Sequence, residues 1–226
     1  MGCQSKPRSD KNMQQIKNVI WDWNGTILND IELCINCINV VLRERNIPEL
    51  TYEHYIEIFG FPVKDYYERA GLNFANEPFE IPAKQFIDLY HNNWSSCSVF
   101  TDATKALKHF QDKGIKQFVL SAMEHNALQK QTNHFGVDGY FNHIQGIDNH
   151  FAESKLQTGK NLMQQFNINA QETLFIGDTT HDFEVAQQLG VQCVLVAKGH
   201  QNFNILKRAT TNVYKSLLDF IYDELN

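Results

Sequence analysis

Apolar residues change their spacing several times along the chain, and each change marks a boundary between elements. Residues 17–22, KNVIWD, form a short apolar run ending in a carboxylate and followed by the turn pair Asn24-Gly25, which predicts a buried strand. From Asn29 to Arg45, Ile31, Cys34, Ile35, Ile38, Val41 and Leu42 recur three to four residues apart. This stripe predicts an amphipathic helix, capped by Asn29 or Asp30 and closed before Pro48. Shorter helices are expected around 52–58, 64–71 and 83–97, separated by Gly60, Pro62, Gly71 and Pro82, and nothing between 30 and 99 reads as a strand.

From residue 100 the pattern alternates. A helix starting at Thr101 or Asp102 and ending at Gly114 precedes the apolar strand QFVLS (117–121). Then come a helix near 124–135, a strand near 143–146, a helix near 154–166, the strand TLFIG (173–177), a helix at 181–189, the strand CVLVA (193–197) and a last helix at 215–224. Strands alternating with helices imply crossover connections and a parallel sheet, and strands this apolar are covered on both faces. The fold class expected is α/β, a doubly wound parallel sheet built from 13–28 and 100–226, with residues 29–99 inserted as a helical unit after the first strand. Residues 1–12 are polar and without period, and read as a tail.

Composition narrows the function. Of 226 residues, 42% are hydrophobic, enough for a core, and the net charge of −6 argues against a nucleic-acid partner, which would call for clustered Lys and Arg. No apolar run approaches the roughly 18 residues of a membrane span. Five irregularly spaced cysteines suit reduced thiols and a cytoplasmic setting rather than a disulfide framework. Gly2 and Cys3 invite comparison with acylated N-termini, but Lys6 stands where that signal wants Ser or Thr, which favours an unmodified tail. No feature of the sequence specifies an oligomeric state.

In doubly wound sheets ligands bind beyond the carboxyl ends of the strands, so polar residues there are the candidate site. Asp22 ends the first strand, Ser121 ends FVLS, Asp178 and Asp182 follow LFIG, and Lys155 opens the preceding helix. Three carboxylates without a Cys or His cluster suit a hard cation such as Mg2+, which would keep them ionised. A lysine and a hydroxyl complement phosphate oxygens, and a carboxylate can itself attack phosphorus.

These segments resemble the four motifs of the haloacid dehalogenase superfamily, in order: Asp22-Trp23-Asn24-Gly25-Thr26, Ser121, Lys155, and Gly177-Asp178-Thr179-Thr180-His181-Asp182. The resemblance runs from residue 16 to about 200. The inserted helices look like the C1 cap of the phosphoglycolate phosphatase-like branch. It implies a Mg2+-dependent phosphatase acting on a small phosphorylated metabolite. Asp22 would be nucleophile and metal ligand, with the Asn24 backbone carbonyl and Asp178 as further ligands and Asp182 ligating the metal or its waters. Thr26, Ser121 and the N–H groups of Gly25 and Ala122 would bind the phosphoryl group or the nucleophile. Lys155 would bridge phosphate and Asp22, with Lys160 a lesser candidate. On the cap, Lys64 and Arg69 could meet a second anionic group of the substrate.

One position departs from the pattern. The family's phosphatases usually carry a second Asp two residues after the nucleophile, as general acid and base, and this chain has Asn24. An amide cannot transfer that proton, and losing such help costs about 10²–10⁴ in rate. The chain is therefore expected to be a slow phosphatase favouring good leaving groups, one whose acid comes from His181 or the cap, or a phosphate-binding protein with little turnover. A phosphotransferase or mutase is a further alternative. Cys34-x-x-Cys37 lies within a helical pattern without a partner pair and reads as an ordinary helix face. Trp23 reads as packing under the site.

Overall fold

The computed structural model describes residues 16–147 and 155–225, so the tail with Gly2 and Cys3 lies outside the described residues. Strand β1 (Asn18–Trp21) is flanked by β4 (Lys116–Glu124) and β6 (Thr173–Gly177), and β5 (His143–Ile147), β7 (Gln192–Val196) and β8 (Val213–Tyr214) complete a six-stranded sheet. Its order is β5-β4-β1-β6-β7-β8 and every pairing is parallel. Two short strands, β2 (Leu28–Asn29) and β3 (Ser98–Val99), pair antiparallel apart from it.

Alternation along each strand divides the core. Val19 and Trp21 of β1 face a cluster that takes in Leu107 and Phe110 of α5 (Thr101–Asp112), Leu128 of α6 (His125–His134) and Phe220 of α10 (Leu217–Leu225). Ile20 faces the other way, with Phe118, Phe175, Leu162 of α7 (Lys155–Gln165), Val185 of α8 (Thr180–Leu189) and Leu206 of α9 (Phe203–Ala209). A two-residue period with both faces covered produces the continuous apolar runs of the sequence.

Between β2 and β3 stand α1 (Ile31–Arg43), α2 (Tyr52–Ile58), α3 (Val63–Arg69) and α4 (Glu80–Asn93). The apolar stripe of α1 continues the first cluster, which also takes in Tyr55, Tyr66, Tyr67 and Tyr90 of this helical layer. Two details correct the sequence reading. The stretch without strands ends at β3, where the chain's return runs beside its exit and the two backbones pair over two residues. Helix α4 starts at Glu80 with Pro82 inside its first turn, where the missing N–H breaks no helical bond. Helix α9 and strand β8, of seven and two residues, fall in a stretch the sequence reading leaves unassigned.

Gln117 ties the sheet to its helices. Its buried side chain donates to the Leu107 carbonyl at 2.9 Å and accepts from Trp21 Nε1 at 3.0 Å. Gln117→Ala leaves both partners unsatisfied, and is expected to cost about 2–4 kcal/mol, read as a lowered urea midpoint at unchanged slope.

Candidate active site

The carboxyl ends of β1, β4 and β6 bring the charged residues together. Asp22 follows β1, and Asp178 follows β6. Lys155, at the start of α7, donates to Asp22 Oδ1 and to Asp182 Oδ1, the latter at 2.6 Å. Asp22, Asp178, Asp182 and Lys155 are all buried. The three carboxylates each offer an oxygen within 4.8 Å of the others. Lys160 is exposed on the same helix.

Local backbone rules place each group. Asp182 is the third residue of α8 and forms a capping box with Thr179: its Oδ2 accepts from Thr179 N at 3.0 Å, and Thr179 Oγ1 accepts from Asp182 N at 3.3 Å. The same Oδ2 accepts from Asp178 N at 3.2 Å, so one carboxylate both starts a helix and ties down the loop beside it. Gly25 has a left-handed φ of 72°, and a Cβ there would collide with the Asp178 carboxylate and the His200 ring. At Gly199 a Cβ would strike Asp178.

Several sequence candidates already have partners within the protein. The Thr26 hydroxyl donates to Asp178 Oδ1 at 3.1 Å, which braces a carboxylate rather than leaving the hydroxyl for a phosphoryl group. Ser121 is buried where the register of β4 shifts, and its Oγ accepts from Met123 N at 3.1 Å; Ala122 beside it is exposed. On the helical layer the exposed Lys64 lies over the Phe74 ring, 5.7 Å from its centroid, and the exposed Arg69 donates from Nε to the Ile58 carbonyl at 2.9 Å. His181 stacks on Phe61 with centroids 4.7 Å apart. Trp23 is fully buried and donates from Nε1 to Gln131 at 2.8 Å.

The Asn24 amide donates to Asp30 Oδ2 at 2.7 Å and to the Tyr90 hydroxyl at 2.8 Å. Asp30 also pairs with His200 Nε2 at 3.2 Å, while His200 Nδ1 meets the Tyr55 hydroxyl at 2.8 Å. The His200 backbone N–H donates to Asp178 Oδ2 at 2.6 Å. The next residues bind the helical layer: Gln201 donates to the Phe59 carbonyl and accepts from Thr180 N, and Asn202 N donates to the Ile56 carbonyl. Tyr90, His200 and Gln201 were missed by sequence reasoning, and Asp30 was read only as a helix cap. His200 carried a usable signal, because it follows β7 at the same sheet edge.

The haloacid dehalogenase-like hydrolase family model matches residues 19–196. The chain belongs to that family. It is 22% identical over 227 residues to a phosphoglycolate phosphatase of Pasteurella multocida, covering 94% of this chain and 96% of that protein. It is 21% identical over 186 residues to the pyrophosphatase PpaX of Halalkalibacterium halodurans, covering 80% and 84%. Among solved structures, a haloacid dehalogenase-like family hydrolase from Streptococcus pneumoniae shares the fold with a TM-score of 0.81 at 15% identity, over 93% of this chain and 99% of that one. No helix among the described residues is long and apolar enough to cross a membrane.

Burial of several charged groups together dominates the electrostatics of this hydrolase. Burial, reinforced by the Asp182 and Asp178 charges and only partly offset by Lys155, pushes the Asp22 carboxyl up to about 8. Burial and Asp182 also push Asp178 up to about 6, against the pull of His200. Burial would raise Asp182 and lower Lys155, but their pairing outweighs it, holding Asp182 below the usual carboxylate range and Lys155 above the usual lysine one. Burial would likewise depress His200, yet Asp30, Asp178 and Asp22 lift it to about 9. Among the described residues the ligand atoms that converge here, on Asp22, Asp178 and Asp182, are oxygens. That donor set fits a hard divalent cation.

Asp22 keeps its proton up to about 8 in the folded state against 3.8 when free, so its contribution to stability falls as pH rises across that window. His200, raised from 6.5 to about 9, contributes stability that is complete below 6.5 and lost as pH rises through 9. Without divalent metal the melting temperature should fall between pH 6.5 and 8, and added Mg2+ should raise it more at pH 8 than at pH 6. Fluorimetric melts in chelator and in Mg2+ measure both.

Proposed function

We propose that the protein is a Mg2+-dependent phosphatase that hydrolyses a small phosphorylated metabolite through an aspartyl-phosphate on Asp22. The observation that carries this reading is Lys155 clamped between Asp22 and Asp182, with Asp178 alongside, at the carboxyl edge of the sheet. The phosphatase and pyrophosphatase names of its relatives support it.

Asp22 attacks phosphorus, its carboxylate oxygen forming a P–O bond while the bond to the leaving oxygen breaks. Water then attacks the same phosphorus, releasing inorganic phosphate and regenerating Asp22. Lys155 holds Asp22 ready for attack and neutralises charge on the phosphoryl oxygens. Thr26 and the His200 N–H fix Asp178, while Ser121 and the Ala122 N–H line the phosphoryl side. When bound by Asp22, Asp178 and the Asn24 carbonyl, with Asp182 behind them, Mg2+ supplies charge that keeps the carboxylates ionised and polarises the phosphoryl group. Helices α1–α4 act as a cap that keeps water from the transfer.

Asn24 cannot protonate the leaving oxygen, so substrates with good leaving groups, such as acyl and aryl phosphates, turn over fastest. The described cysteines Cys34, Cys37, Cys97 and Cys193 are all free, which supports work in a reducing, cytoplasmic setting.

Release of phosphate from p-nitrophenyl phosphate and acetyl phosphate should require Mg2+ and stop on chelation. Asp22→Asn should abolish it, and Lys155→Ala should lower kcat by about 10³-fold or more. Retained phosphate binding with no turnover on either compound would instead identify a binding protein.

A further inference from the structure

Asp30 is buried to 1% exposure immediately before α1 and carries a crowded set of donors. Its Oδ2 accepts from the Asn24 amide at 2.7 Å and from the Tyr90 hydroxyl at 2.9 Å. Its Oδ1 accepts from Gly25 N at 3.1 Å and faces His200 Nε2 at 3.2 Å. The second proton of the Asn24 amide goes to Tyr90 oxygen at 2.8 Å, which closes a ring of three hydrogen bonds. Tyr90 stands on α4 of the helical layer, whereas Asn24 and Gly25 belong to the loop that presents Asp22.

This ring works with only one chemistry at position 24. The amide donates twice, to a carboxylate and to a hydroxyl that is itself donating to that carboxylate. A carboxylate at the same place has no proton to give, would press against Asp30, and would compete with it for the single Tyr90 proton. His200 Nε2 already faces Asp30 Oδ1 at 3.2 Å, and a second carboxylate at position 24 would repel the first at close range.

We propose that Asn24 is a positioning residue, whose amide, together with Asp30 and Tyr90, latches helix α4 of the cap onto the nucleophile loop. The amide is then a functional replacement and not the remnant of a lost acid, and restoring Asp at this position breaks the latch instead of restoring proton transfer. The latch stands on these contacts alone; only its consequence for turnover rests on the phosphatase reading.

The test compares the full-length chain with Asn24→Asp, Asn24→Ala and Tyr90→Phe, and repeats the two position-24 changes in an Asp30→Asn background. Hydrogen exchange by mass spectrometry reads α4 against β6 and β7, alongside thermal melting and kcat on p-nitrophenyl phosphate. Asn24→Asp should melt at least about 5 °C below the parent and below Asn24→Ala. Exchange in 80–93 should rise about tenfold or more while β6 and β7 keep theirs, and kcat should not increase. With Asn at position 30 the order should reverse, because a carboxylate at 24 then meets a donor, and this rescue would not follow from a merely structural role. Parent-like melting and α4 exchange in Asn24→Asp, or a tenfold gain in kcat, would overturn the latch. Should Asn24→Asp fail to fold, Asn24→Ala and Tyr90→Phe decide: raised α4 exchange supports the latch and parent-like exchange overturns it. A parent protein without turnover would remove the phosphatase reading and leave the exchange result to judge the latch.

Discussion

The buried ammonium of Lys155 is the group on which the site depends. Asp22 and Asp182 share it, and Asp178 lies close by. Desolvating several carboxylates together is tolerated only where opposite charge and hydrogen bonds reach them directly. Burial, which Lys155 offsets only in part, pushes the Asp22 carboxyl up to about 8, whereas pairing with Lys155 and Thr179 holds Asp182 below the usual carboxylate range. A divalent cation is the natural completion of such a set, and the carboxylate that most needs it is the proposed nucleophile.

Much of the surrounding backbone follows from that crowding. Gly25 and Gly199 sit where a Cβ would touch the Asp178 carboxylate, so their absence of side chain is what lets the loops after β1 and β7 close around it. The capping box of α8 gives Asp182 a second task, since the oxygen not used by Lys155 holds the N–H groups of Asp178 and Thr179. The distances between these carboxylates are therefore set by helix initiation and by glycine placement as well as by the sheet.

The helical layer is joined to this site by polar contacts at two points. The loop after β7 reaches Tyr55, Ile56 and Phe59 through His200, Asn202 and Gln201, while Thr180 at the start of α8 is bonded to the same Gln201. The second point is the Asn24–Asp30–Tyr90 ring. These hydrogen bonds run to residues that themselves touch Asp178 or lie in the loop that presents Asp22.

The order of strands and helices, the helical insertion and the four charged positions were legible in the sequence, because they rest on local rules. Apolar period reports burial, glycine and proline mark breaks, and a polar residue just past an apolar run falls at the ligand-binding edge of a parallel sheet. Short elements such as β3, β8 and α9 were not legible, being stabilised by what they pack against. The partners of Asn24 were hidden for the same reason: Tyr90 lies 66 positions further along the chain, and Asp30 meets His200 across a still longer stretch of it. Sequence alone marked Asn24 as an absence, an acid that was missing. Only the folded chain supplied the carboxylate and the hydroxyl that give its amide something to hold, because hydrogen bonds between distant elements exist only after the core has brought those elements together.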